Sequence, residues 1–240
     1  MLLIITGTIC PKKQNNLTVS DTDERLKQYV DSIESYIVSG AFDKIVFCDN
    51  SNYECEKADK MLVDKALSKG VKLEILHFEG DSEKVLHKGK GYGEGEIMEY
   101  IFAKSTLLQE EPWFFKVTGR LQVHNIKELV NTIGDSDIYI NIPNRNEKSM
   151  YDTRLYAIQT DVYKKYFLKA YESVDDGNGY YLEHVFADGI RNNSLKSRNF
   201  TKYPRITGVS GTSGSRYVYT EWKCKIKDFL SKFNYYGKTV

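Results

Sequence analysis

Residues 2–8 read LLIITGT, an apolar and β-rich run that ends in a glycine followed by a threonine. A run of this kind predicts a buried strand followed by a loop. Beyond a polar stretch, Asp21 and Asp23 precede a predicted helix that Gly40 ends. The apolar residues of that helix recur at helical spacing: Leu26, Tyr29, Val30, Ile33, Tyr36 and Ile37.

The alternation of strand and helix then continues. Residues 43–51, DKIVFCDNS, predict a second buried strand, residues 57–69 predict a helix that Gly70 ends, and residues 71–80, VKLEILHFEG, predict a third strand. This order favours an α/β fold, a single domain with a mostly parallel central sheet flanked by helices.

Ligands of such sheets bind at the carboxyl ends of the strands. Thr6, Gly7, Thr8, Asp49 and His77 all fall near predicted strand ends. Each of them alone is more simply explained as a loop residue or a helix cap, but together they outline a crevice.

Charge is distributed unevenly along the 240 residues. Residues 191–240 carry a formal charge of +9 and the remainder carries −8. We expect residues 1–190 to form the core and residues 191–240 to form a basic C-terminal loop and amphipathic helix of the same domain. A basic tail favours a polyanion or an anionic membrane face as a partner.

The four cysteines form no CxxC pair and there are four histidines, which argues against a zinc site or a disulfide framework. The first apolar run is too short for a signal peptide, and no stretch approaches the roughly 18 apolar residues of a membrane span. These features predict a cytoplasmic protein, with peripheral contact at the inner face of the cell membrane left open.

A glycine-rich segment, residues 87–105, reads HKGKGYGEGEIMEYIFAKS, and we expect its helix to begin near Glu96. A glycine-rich loop that leads into a helix brings backbone N–H groups toward an anion. Neither standard nucleotide-binding motif is met. A phosphate or ribose site and a flexible surface loop are both consistent with it, and the candidate binding residues are Lys88, Lys90, Gly91, Tyr92 and Gly93.

Residues 111–125, EPWFFKVTGRLQVHN, predict a buried strand that ends in Thr118, Gly119 and Arg120. A guanidinium group presents a rigid donor fork that suits phosphate oxygens. Lys116 and Arg120 are therefore predicted to hold a diphosphate, the alternative being a surface ion pair.

Residues 136–143 and 151–158 predict two more strands, the second running into a helix from about Asp161. Asp152 and Arg154 would share one face of that strand, where they form an ion pair or line the site. Glu183 and His184 fall in the first turns of a later helix. Glu183 would act as a general base or would satisfy the helix dipole.

The C-terminal segment contains a Gly- and Ser-rich stretch, residues 208–215, which is a candidate lid, followed by Arg216. Residues 221–238 predict an amphipathic basic helix that packs on the core or contacts a membrane. Its apolar residues are Trp222, Ile226, Phe229, Leu230 and Phe233.

The order of these segments resembles glycosyltransferases of the GT-A fold, especially bacterial enzymes that build surface polysaccharides such as lipopolysaccharide and capsule. The resemblance implies that IITGT and Asp49 lie near a nucleotide base or ribose, and that GKGYGEGE touches ribose and phosphates. It places residues 152–167 on the acceptor side and matches Glu183 loosely to the catalytic base. The implied substrates are a nucleoside-diphosphate sugar and a glycan or lipid-linked acceptor.

One departure from the family is large, because the position of its DXD metal motif reads TGR at residues 118–120. Mg²⁺ or Mn²⁺ is therefore not firmly predicted, and Lys116, Arg120 or Arg216 would replace the metal at the leaving diphosphate. With Glu183 as a single base, the enzyme would invert the anomeric centre.

Two other functions remain open. A sugar-phosphate nucleotidyltransferase would need carboxylates for Mg²⁺ near a triphosphate, and Asp49 and Asp152 are the candidates. A nucleic-acid-binding protein would use the aromatic and basic tail, although a doubly wound domain with several clefts makes nucleic acid an unexpected partner.

Overall fold

The computed structural model describes residues 1–11, 21–142, 149–210 and 214–232. Within them, the strands are β1 (Leu2–Gly7), β2 (Lys44–Asp49), β3 (Lys72–His77), β4 (Trp113–Thr118), β5 (Leu121–Val123), β6 (Ile138–Ile140), β7 (Leu155–Gln159), β8 (Ser197–Arg198), β9 (Ile206–Val209) and β10 (Arg216–Tyr217). The α-helices are α1 (Thr22–Ser39), α2 (Glu56–Ser68), α3 (Ser82–Lys88), α4 (Lys90–Lys104), α5 (Ile126–Val130), α6 (Thr160–Tyr166), α7 (Leu182–Asn192) and α8 (Glu221–Lys232).

The central sheet has seven strands in the order β3-β2-β1-β4-β7-β6-β8, and a small sheet has the order β10-β9-β5. Strands β3, β2, β1 and β4 are parallel, while β7 is antiparallel to both of its neighbours. Strand β8 is parallel to β6, so β7 alone runs against the rest of this sheet. The predicted α/β fold with a mostly parallel sheet flanked by helices is confirmed.

Both faces of the sheet are covered, which explains the continuous apolar run in β1. Leu2 and Ile4 pack in the cluster that contains α4 and α7, whereas Leu3 and Ile5 pack in the cluster that contains α1. Central parallel strands are buried on both faces and therefore lack polar alternation. Helix α1 begins at the capping side chain of Asp21 and ends at Gly40, whose φ is 62°.

Helix α4 begins at Lys90, six residues before the predicted start near Glu96. Gly91, Gly93 and Gly95 lie inside the helix, where the absence of a side chain allows close packing. A Cβ atom on Gly95 would lie 2.1 Å from the Cβ of Tyr171, and one on Gly91 would lie 2.9 Å from the Cβ of Leu182. The prediction of a glycine-rich loop is thus wrong.

Strand β7 begins at Leu155 rather than at residue 151. Asp152 and Arg154 lie in a turn before it, because the Asp152 carboxylate accepts a hydrogen bond from the Arg154 backbone N–H at 3.2 Å. A local side-chain bond of this kind competes with strand pairing. The two residues therefore do not share a strand face.

Candidate functional site

Two adjoining cavities open at the carboxyl edge of β1, β2 and β4. These strands are neighbours in the sheet, so their ends meet at one edge. The first cavity has a volume of about 180 Å³ and the second about 650 Å³. The residues that line both are Val85, Lys90, Glu94, Thr118 and Val209.

Backbone and small polar side chains form the floor of the first cavity. Thr6, Gly7 and Thr8 line it directly after β1. The Thr8 backbone N–H donates to the Tyr29 hydroxyl at 2.9 Å, and the Thr8 hydroxyl donates to Asn50 Oδ1 at 2.6 Å. This surface offers fixed polar groups next to backbone that a ligand can approach closely.

Three cations from three different elements line the same cavity: Arg25 of α1, Lys90 at the start of α4 and Arg120 after β4. Burial, Arg120 and Arg25 lower the pKa of Lys90, and burial and Arg25 lower the pKa of Arg120. Like charges that depress one another are relieved when an anion binds between them. The N-terminal end of α4 is capped by the Asp176 carboxylate, which accepts from the Lys90 backbone N–H at 3.0 Å, so the cationic side chains supply the positive charge. The arrangement suits a diphosphate.

Arg25, which is 4% exposed, is not among the site residues predicted from the sequence. Its Nε donates to the carbonyl oxygens of Thr8 and Ile9 at 3.0 and 3.1 Å. The available signal was its spacing, because Arg25 lies one turn before Tyr29 on the apolar face of α1. An arginine on the buried face of an amphipathic helix needs acceptors from the core side.

Lys116 does not reach the cavity as the sequence predicted. It is fully buried, and its ammonium group donates to Glu94 Oε1 at 2.5 Å, Thr118 Oγ1 at 3.1 Å and the Thr153 carbonyl oxygen at 3.0 Å. These three bonds use all three N–H donors of the group. The prediction that Lys116 itself holds the diphosphate is therefore wrong.

Lys88 and Arg216 do not line either cavity. Gly89, with a φ of 106°, separates α3 from α4, and the Lys88 amine instead donates to the Glu172 carbonyl oxygen at 3.2 Å. Arg216 lies exposed in β10. Of Lys88, Arg120 and Arg216, only Arg120 lines a cavity, where Arg25 and Lys90 accompany it.

Three other predicted binding residues, Asp49, Tyr92 and Gly119, support the site without lining either cavity. Asp49 is fully buried and accepts from the backbone N–H groups of Ile9, Ser51 and Tyr53 at 2.6, 3.0 and 3.1 Å, so it shapes the loops instead.

Tyr92 packs its ring 5.0 Å from that of Tyr171. Gly119 allows close approach of two strand ends, because a Cβ there would lie 2.3 Å from the Thr6 carbonyl oxygen. Gly93 lines the first cavity and Gly91 the second.

Glu183 lines the second cavity from the first turn of α7. The Thr153 hydroxyl donates to Glu183 Oε1 at 3.3 Å. Burial, followed by the negative charge of Glu94, raises the pKa of Glu183. A carboxyl group with a raised pKa is a stronger base than an ordinary glutamate, which suits a general base.

Arg154 also lines the second cavity, whereas Asp152 does not. Arg154 binds Asp152 through Nε at 2.8 Å and Nη2 at 2.6 Å, and its guanidinium lies 4.7 Å from the centre of the Tyr217 ring. Of the two alternatives that the sequence allowed, Asp152 and Arg154 form the ion pair, and Arg154 also lines the cavity.

The residues at the end of β4 do not fit a divalent cation. Hard cations bind oxygen ligands, above all carboxylates, but Arg25, Lys90 and Arg120 occupy this part of the cavity. Across the described residues, no group of three or more His, Cys, Asp or Glu side chains is placed to hold a metal.

A comparison with protein-family models finds no match, and a comparison with curated proteins finds none either. Solved structures do match. A crystal structure of the galactosyltransferase LgtC in complex with donor and acceptor sugar analogues has a TM-score of 0.50 at 10% identity, covering 79% of this chain and 70% of that one.

A nucleoside-diphosphate-sugar pyrophosphorylase from Vibrio cholerae RC9 has a TM-score of 0.49 at 12% identity, covering 83% of this chain and 91% of that one. The LgtC comparison shows the fold: this chain has a GT-A-like fold similar to that of LgtC, and the resemblance stated from the sequence is confirmed at that level.

Proposed function

We propose that this protein is a glycosyltransferase that moves a sugar from a nucleoside-diphosphate sugar to a glycan or lipid-linked glycan acceptor in bacterial surface polysaccharide synthesis. The observation that carries the proposal is the convergence of Arg25, Lys90 and Arg120 in one cavity at the strand ends. The adjoining cavity holds Glu183, a carboxyl group with a raised pKa. The LgtC structure, which is a complex with donor and acceptor sugar analogues, supports the same assignment.

In this proposal the nucleoside lies along Thr8 and Asn50, and the three cations hold the diphosphate. The acceptor enters the second cavity, where Glu183 takes the proton from its hydroxyl group. The acceptor oxygen then bonds to the anomeric carbon while the bond from that carbon to the diphosphate breaks. Fixed positive charges stabilise the negative charge that develops on the leaving diphosphate. Attack opposite the leaving group inverts the anomeric centre.

The nucleotidyltransferase alternative is less well supported by the geometry. It would use Asp49 and Asp152 as ligands for Mg²⁺. Asp49 is fully buried in backbone hydrogen bonds, and Asp152 is bound by Arg154. Both carboxylates are thus engaged within the fold.

A thermal-shift panel tests the proposed function. We expect a nucleoside diphosphate or its sugar conjugate, from a panel of UDP, GDP, CMP and their sugars, to raise the Tm. A ligand that binds only the folded state stabilises it by about 2.7 kcal/mol at a concentration of 100 Kd. EDTA should leave the shift unchanged. A panel in which none of these compounds moves the Tm would contradict the proposal.

We also propose that the C-terminal segment, residues 191–240, contacts an anionic membrane surface. Asp228 of α8 is buried and accepts from Arg205 Nη2 at 2.9 Å, so one face of the helix packs on the protein. Trp222 is 60% exposed and Ile226 is 49% exposed, and Lys223 and Lys225 stand beside them.

Apolar residues flanked by lysines suit an interface with anionic lipids. No helix within the described ranges is long and apolar enough to cross a membrane. Phe233 and residues 211–213 of the candidate lid lie outside the described residues.

Sedimentation with lipid vesicles tests this contact. The protein should pellet with vesicles that contain phosphatidylglycerol and remain in the supernatant with phosphatidylcholine alone. Trp222→Ala should weaken the pelleting. Equal binding to both kinds of vesicle, or to neither, would contradict an anionic membrane partner.

A further inference from the structure

Lys116 is fully buried and forms an ion pair with Glu94, and the proposed reaction assigns this pair no role. Phe114, two residues before Lys116, packs in the apolar cluster on the same face of β4. A buried cation in that setting is costly unless it is paired and fully hydrogen-bonded. Glu94 meets it from α4 and also lines both cavities.

Hydrogen bonds connect this pair to Glu183. The Lys116 ammonium donates to the Thr153 carbonyl oxygen at 3.0 Å, and the Thr153 hydroxyl donates to Glu183 Oε1 at 3.3 Å. Glu94 is thereby linked to Glu183 through two intermediate residues. All four belong to different elements: α4, β4, the turn before β7, and α7.

We infer that Glu94, Lys116 and Thr153 are positioning residues that orient the Glu183 carboxylate toward the acceptor. The inference rests on the proposed function, because it takes Glu183 as the general base. None of the three positioning residues needs to touch a substrate. Each acts by fixing or charging the surroundings of one carboxyl group.

The groups around Glu183 shift its pKa in opposite directions, so single substitutions of them should also have opposite effects on this pKa. The negative charge of Glu94 raises the pKa of Glu183, while the hydrogen bond from Thr153 and the positive charge of Lys116 lower it. Glu94→Gln should therefore lower this pKa, and Thr153→Val should raise it. The other charged side chains that line the second cavity, which both variants keep, are Lys90, Arg154 and Asp176.

Carbon-13 NMR titration of the glutamate side chains in the full chain measures this pKa directly. The signal that Glu183→Gln removes identifies Glu183. We expect a shift to higher pH in Thr153→Val, recovery in Thr153→Ser, which keeps the hydroxyl, and a shift to lower pH in Glu94→Gln. An unmoved titration in Thr153→Val, or shifts of the same sign in both variants, would overturn the inference.

Two outcomes are kept apart by this design. If Glu94→Gln does not fold, because Lys116 is left without its counter-charge, the pair Thr153→Val and Thr153→Ser decides the question alone. If the titrations move as expected but no nucleotide sugar supports transfer, the positioning network stands and the proposed function fails. If sugar transfer is observed but the Glu183 titration does not move, only the inference about the positioning residues is contradicted.

Discussion

Replacing Arg120 with alanine is expected to lower kcat/KM for the sugar donor by about 100-fold or more, the size of effect seen when one preorganised electrostatic contact to a transition state is removed. Arg120 lines the first cavity and is 8% exposed, so little water shields its charge from a bound diphosphate. Its Nη1 is held by Gln28 Oε1 at 3.0 Å, which keeps the donor fork in place. Steady-state kinetics with the donor that the thermal-shift panel selects provides the measurement.

The chain offers matched controls for this prediction. Arg216→Ala and Lys88→Ala remove cations that line neither cavity, and both variants should retain nearly full kcat/KM. Arg120→Lys should recover part of the loss, because it keeps the charge without the planar fork. Losses of similar size in Arg216→Ala and Arg120→Ala would mean that the diphosphate does not bind in the first cavity.

Glu183→Gln is expected to reduce kcat by about 1,000-fold, within the range for loss of a general base, while donor affinity stays unchanged. Glutamine preserves the shape of the side chain but cannot take a proton. Measured donor Kd and kcat separate the two effects. Glu128→Gln, at an exposed position of α5, is the control and should be neutral. Retained turnover in Glu183→Gln would exclude this residue as the base.

The same residue predicts the acid limb of the pH profile. Burial and Glu94 raise the pKa of Glu183 above the usual value of about 4.3 for a glutamate. The carboxyl group must be ionised to act as a base. We therefore expect kcat to increase as the pH rises through the raised pKa of Glu183, and to be low at pH values below that pKa. In Glu183→Gln, the residual rate should lose that limb.

Periodicity and caps in the sequence predict the fold well. The apolar run of β1 and the apolar set of α1, with Asp21 before it and Gly40 after it, correspond to a buried strand and a capped helix. Patterns of this kind are local, so they can be read without knowledge of partners. Their alternation is sufficient to predict a mostly parallel sheet, and it places the candidate site at the carboxyl ends of the strands.

The errors arise where the packing partner is distant in sequence. Gly95 looks like a loop residue until Tyr171 lies against it, 76 positions later. Lys116 looks like a phosphate ligand until Glu94 and the Thr153 carbonyl take its donors. Arg25 was not predicted as a site residue, because the carbonyl oxygens of Thr8 and Ile9 that accept from it lie in the loop after β1. These contacts are set by tertiary structure.

Titration calorimetry with uridine, UMP and UDP, or the corresponding series of the preferred base, tests the central claim most directly. If Arg25, Lys90 and Arg120 grip a diphosphate, affinity should increase with each added phosphate, and Arg120→Ala should flatten that increase while Arg216→Ala leaves it intact. A nucleoside that binds as tightly as its diphosphate, or an increase that persists undiminished in Arg120→Ala, would contradict the account.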